Sequence, residues 1–90
     1  MTLRRGDIQG YDFDRMIVEF TMLEGDTVVQ CAISTAAMDD LEGRRDARST
    51  QRLEQFARLR DTIEARAARK FAEEPAAAGA RLVLRSVDFV

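Results

Sequence analysis

Between Arg15 and Ile33 the chain alternates apolar and polar side chains twice, around one short turn, and that pattern leaves few folds open. Met16, Val18, Phe20 and Met22 stand on one side of the first run, with Arg15, Ile17, Glu19 and Thr21 on the other. A period of two belongs to a half-buried strand, because successive side chains point to opposite faces. Glu24-Gly25-Asp26-Thr27 supplies a glycine-bearing turn, after which Val29, Cys31 and Ile33 alternate with Val28, Gln30 and Ala32. Two such runs around a tight turn form an antiparallel hairpin.

The remaining elements follow from start and stop signals. Ser34 ends the second strand and can cap a helix over Thr35–Glu42, with Ala37, Met38 and Leu41 inward and Gly43 as its left-handed terminator. Arg44 to Arg48 form a polar loop. Ser49 or Thr50 then caps a long helix that runs to about Glu74 and is halted by Pro75, and Ala76-Ala77-Ala78-Gly79 is a connector. Arg81–Phe89 reads as a last strand, with Leu82 and Leu84 on one face and Val83 and Val87 on the other. The order β-β-α-α-β predicts an α+β fold, an antiparallel sheet of three or four strands with both helices on one face. Residues 1–12 show no sustained period; 1–10 are expected as a flexible arm, with Tyr11 and Phe13 pinning it to the core. Ninety residues without a long linker make one domain, 1–90.

On the long helix, Leu53, Phe56, Ala57, Ile63, Ala67 and Phe71 line up at 100° per residue as an apolar stripe. Arg60 and Glu64 fall inside it, four residues apart and so able to touch. A charge on an inward position is costly unless paired. The pair is either a tie between the helix and backbone carbonyls, or Asp88, or a pocket arginine held ready for a carboxylate or phosphate. Arg60, Glu64 and Asp88 are therefore a candidate semi-buried polar or ligand site.

Three stretches match a known pattern: Val29-Gln30-Cys31-Ala32-Ile33-Ser34, then Phe56-x-x-x-Arg60-x-x-Ile63-Glu64-x-x-Ala67, and Ser86-Val87-Asp88-Phe89. Across roughly Asp12 to Phe89 the chain resembles the bacterial family of domain of unknown function 1488. The resemblance implies a small α+β fold. It brings no activity, substrate, cofactor or catalytic residue.

Charge and composition narrow the function classes. Residues 1–43 carry three arginines against nine carboxylates, and 44–70 carry nine basic groups against four acidic ones. The halves stand at −6 and +5 within a net charge of −2, and only Lys70 among the basic residues is not arginine. Arg44, Arg45, Arg48, Arg52, Arg66 and Arg69 form a candidate basic surface, where clustered cations could neutralise nucleic-acid phosphates. Against it, the pI is about 5.1, and no aromatic residues interleave with the arginines. Asp39, Asp40 and Glu42 fan over different faces of a short helix instead of converging on a cation. Cys31 lies on an inward strand face without a histidine in the chain to activate it, and reads as a small buried hydrophobe.

These absences point away from an enzyme: no histidine, no glycine-rich phosphate loop, no metal-ligand spacing and no nucleophile with a visible base. No cofactor is expected. The favoured reading is a cytoplasmic interaction or regulatory module with an unknown protein partner. The charge split also allows a homodimer in which the acidic part of one chain meets the basic helix of another. The alternative is a nucleic-acid-associated accessory protein. No apolar run is long enough for a membrane span, and the basic N-terminus lacks the apolar stretch of a secretory signal.

Overall fold

A computed structural model describes residues 3–44, 47–73 and 81–89. Strands β1 (Arg4–Asp12), β2 (Ile17–Glu24) and β3 (Thr27–Ser34) form an antiparallel meander. Helix α1 (Thr35–Glu42), a 3-10 turn at Ser49–Gln51 and helix α2 (Arg52–Glu73) follow. Strand β4 (Leu82–Leu84) returns beside β3, and a 3-10 turn at Ser86–Phe89 closes the described chain.

The hairpin forms where the alternation places it. Val18 faces Ile33, Phe20 faces Cys31 and Met22 faces Val29 across β2 and β3, which puts the apolar members of both strands on one face. Phe56, Ile63 and Ala67 of α2, Ala37 and Met38 of α1, and Leu84 of β4 join them in one core. The rings of Phe20 and Phe56 pack tilted, with centroids 5.0 Å apart. Both helices thus cover the same side of a four-stranded sheet ordered β1-β2-β3-β4. The α+β reading stands.

Helix α1 begins and ends on its predicted residues. The Ser34 hydroxyl accepts a hydrogen bond from the Ala37 N–H, and Gly43 leaves the helix at φ 68°. Helix α2 starts differently from expectation. Neither Ser49 nor Thr50 caps an α-helix; both lie in the 3-10 turn, where the Gln51 side-chain oxygen accepts from the Arg48 N–H at 2.9 Å.

Four expectations need correction. The N-terminal segment, read as an arm, is an edge strand paired with β2. Met16, read as a core strand residue, sits in the turn before β2 at φ 55° and is 53% exposed. The last pairing, Cys31 with Leu82 through Ile33 with Leu84, is parallel, so the sheet is mixed. Two helices carry the chain back across the sheet before β4, and the strand therefore enters in the direction of β3. Finally, β4 stops at Leu84 because the Asp88 carboxylate accepts from the Arg85 N–H at 2.8 Å and bends the chain into a turn. Pro75 and the 76–79 connector lie outside the described residues.

Candidate interaction surface

Arg60 and Glu64 come together as their spacing requires, and a third element joins them. Arg60 Nε donates to Glu64 Oε2 at 2.9 Å, and its Nη2 donates to the Gly6 carbonyl of β1 at 3.0 Å. The guanidinium lies 5.9 Å from the Phe56 ring centroid. From β1, Arg5 Nε donates to both Glu64 oxygens at 2.9 and 3.1 Å, and Arg5 Nη2 reaches Asp61 at 2.8 Å. Glu64 is therefore shared by two guanidinium groups, and the cluster fastens α2 onto the edge of the sheet. The candidate site had no place for Arg5, whose position depends on a strand that local periodicity does not reveal.

Asp88 does not join this cluster. It sits beyond the C-terminal half of α2, where Oδ2 accepts from Lys70 Nζ at 3.1 Å and Arg66 Nη2 lies 3.8 Å from Oδ1. Arg66 Nε donates to the Asp88 carbonyl, and Lys70 Nζ to the Val83 carbonyl at 2.9 Å. Burial alone would raise the Asp88 carboxyl, but the Arg85 N–H, Lys70 and Arg66 outweigh it and hold it below the ordinary value. Arg60, Glu64 and Asp88 thus belong to two separate ties.

The basic surface is broken up by the fold. Arg52 is buried at 7% exposure, with Nη1 donating to Asp39 Oδ1 and to Gln55 Oε1, both at 2.7 Å. Gln55, fully buried, donates from Nε2 to Asp39 at 3.0 Å and Glu42 at 3.2 Å. Arg58 grips Glu42 with two bonds of 2.9 and 3.1 Å. The Arg58 bonds, then Gln55, hold the Glu42 carboxyl below its usual value. Asp39 and Glu42 of α1 thus point into α2 and lock the helices together. Leu53 and Ala57 turn outward instead, Leu53 at 43% exposure. Arg66 is half-buried against the C-terminal turn, Arg48 and Arg69 are exposed, and Arg44 bonds through its N–H to the Asp39 carbonyl. Arg45 lies outside the described residues. Of the five described arginines, Arg52 is withdrawn into the fold and Arg66 is half-buried, so they do not form one exposed face.

Cys31 is 1% exposed, and burial pushes its thiol up to about 12. Among the described residues no group of His, Cys, Asp and Glu is arranged to hold a metal ion. No helix among them is long and apolar enough to cross a membrane.

A feature that periodicity passed over is the tip between β1 and β2. Asp12 Oδ1 accepts from the N–H groups of both Asp14 and Arg15 at 3.1 Å, a side-chain turn that fixes the loop. Tyr11 packs on the core and holds Phe13 edge-on, ring centroids 6.2 Å apart, yet Phe13 itself is 68% exposed. Phe13 thus does not pin the segment down. Met16 completes the tip, and its carbonyl accepts from the Thr35 N–H at 3.0 Å. A residue with a side chain at positive φ is uncommon and costs energy unless its surroundings enforce it. The signal in the sequence was a pair of large apolar residues, Phe13 and Met16, within a polar Asp-rich turn.

The model of a family described as protein of unknown function DUF1488 matches residues 6–84. No curated protein matches the chain. A crystal structure of a DUF1488-family protein of unknown function from Shewanella loihica PV-4 is similar in fold, with a TM-score of 0.73 at 20% identity. The likeness covers 93% of this chain and 94% of that one.

Proposed function

The chain belongs to the DUF1488 family, and from that premise we propose that it is a non-enzymatic interaction module whose contact surface is the β1–β2 tip. One observation carries this reading. Arg52, Asp39 and the Gln55 amide join the two helices, and Arg5, Arg60 and Glu64 join α2 to β1. Phe13 and Met16 are meanwhile held outward on a braced turn. Exposed large apolar side chains on a fixed loop are what an interface core needs, whereas catalysis needs free polar groups that converge. The expected partner is a protein with an apolar recess, met in the cytoplasm.

The test is photocrosslinking in cells, with a photoreactive amino acid in place of Phe13. One identified protein should be captured there and not from Leu53, which is 43% exposed on the far helix. Capture of the same proteins from both positions, or none from Phe13, would overturn the reading.

A further inference from the structure

We infer that strand β1 is a self-pairing edge, and that two copies of this chain join antiparallel along it into one continuous eight-stranded sheet. This rests on the reading of the chain as an interaction module and adds a second, separate contact to the tip. Among the described residues no strand lies outside β1, and Arg4, Arg5, Asp7, Ile8 and Gln9 along it are exposed. An edge presents unpaired backbone N–H and C=O groups, which most proteins blunt with charges and bulges.

Here those same devices are self-complementary. The strand is chemically palindromic about Ile8, so a two-fold axis there sets Arg4 against Asp12, Arg5 against Tyr11 and Gly6 against Gly10 of the second copy. The faces agree as well. Arg4 and Asp12 stand opposite Leu23 and Ile17, on the side of the sheet away from the helices, while Arg5 and Tyr11 stand opposite Met22 and Val18, on the helix side. Partners across a new ladder must share a face, and shifting this register by one residue breaks that agreement. The two irregularities of β1 fall between Arg5 and Ile8 and between Ile8 and Gly10, one on each side of the axis. A foreign strand meets charges and bends, whereas a second copy meets their complements.

Arg4 is exposed and gives Nη2 to the Gly25 carbonyl at 3.0 Å, which leaves the rest of its guanidinium for an incoming carboxylate. Asp12 uses Oδ1 for its own turn, and Oδ2 has Arg15 only at 3.8 Å, leaving it open to an incoming guanidinium. Arg5 is held by Glu64 and Asp61, yet its side chain is 50% exposed, which leaves surface for the Tyr11 ring of the second copy. Ile8, 36% exposed, meets itself at the axis.

Sedimentation equilibrium on the full chain, with hydrogen exchange across a concentration series, tests this. The expected result is a dimer whose β1 amides grow more protected as concentration rises. Ile8→Lys, which sets two cations face to face, and Arg4→Glu, which sets like charges against Asp12, should each weaken dimerisation about tenfold or more. Val28→Lys, a change at a 53% exposed site on β3, should leave it intact. A wild-type monomer, a dimer without β1 protection, or a dimer insensitive to Ile8→Lys would overturn the proposal. Failure of the Phe13 crosslink alone would remove the tip and leave this edge standing.

Discussion

Arg52 and Arg60 are both arginines of α2 bonded to a carboxylate, but they stand in unequal surroundings. Arg52 bridges Asp39 and the fully buried Gln55, with a side chain 8% exposed. Removing it leaves buried acceptors short of a charged donor, and Arg52→Ala should cost about 2–4 kcal/mol by chemical denaturation. The four-residue spacing to Glu64 alone predicts an equal cost for Arg60→Ala, about 2–4 kcal/mol, by stranding an inward carboxylate. The structure lowers that figure to about 1–2 kcal/mol, because Arg5 still holds Glu64 when Arg60 is gone. Adding Arg5→Ala should then cost more in the Arg60→Ala background than in wild type. At the same scale, Cys31 should resist a thiol reagent at pH 8 in the folded protein and react at once in denaturant. Rapid labelling of the native chain would show that the core opens there.

At the scale of elements, β1 depends on Gly6. A Cβ added there would lie 2.5 Å from the Thr21 carbonyl oxygen and strike the Thr21 hydroxyl, which also accepts from the Asp7 N–H at 2.9 Å. Gly6→Ala should therefore destabilise by about 1–3 kcal/mol, measured as a shifted denaturation midpoint, through forced separation of β1 and β2. The same bulge explains what the sequence concealed. Strands β2 and β3 were legible because Val18, Phe20, Met22, Cys31 and Ile33 keep an unbroken period of two. Helix α1 was legible because Ser34 and Gly43 punctuate it. Strand β1 loses its period at each of two register shifts, so Arg5, Ile8 and Tyr11 do not look like one face. On α2, polarity misled. Arg52 and Gln55 lie inward because Asp39 and Glu42 of another helix receive them, a partnership that no spacing along α2 records. The direction of β4 is decided by the whole crossover and has no local signature in Leu82–Leu84.

Over the whole molecule, carboxylates at two seams set the response to acid. Glu42 between the helices and Asp88 beneath the end of α2 both titrate below their ordinary values of 4.5 and 3.8. The unfolded chain takes up protons at these groups at a higher pH than the folded chain does. Their contribution is thus complete above about pH 5 and is lost as pH falls through the folded values. Melting temperature should be flat from pH 7 to about 5 and drop below about 4. Glu42→Gln and Asp88→Asn should lower the plateau and make the acid slope shallower. A slope unchanged in both variants would place the acid-sensitive groups elsewhere.

The parallel seam between β3 and β4 joins Cys31 to Leu82, whereas the meander before it pairs near neighbours such as Glu24 with Thr27. Closing so long a stretch of chain carries an entropic toll that the hairpin does not meet, and it grows with the logarithm of the span. The order of events during refolding follows. The first strands can zip in a rapid early phase, while the final one docks only after both helices have laid the path back, and that docking sets the pace for the native state.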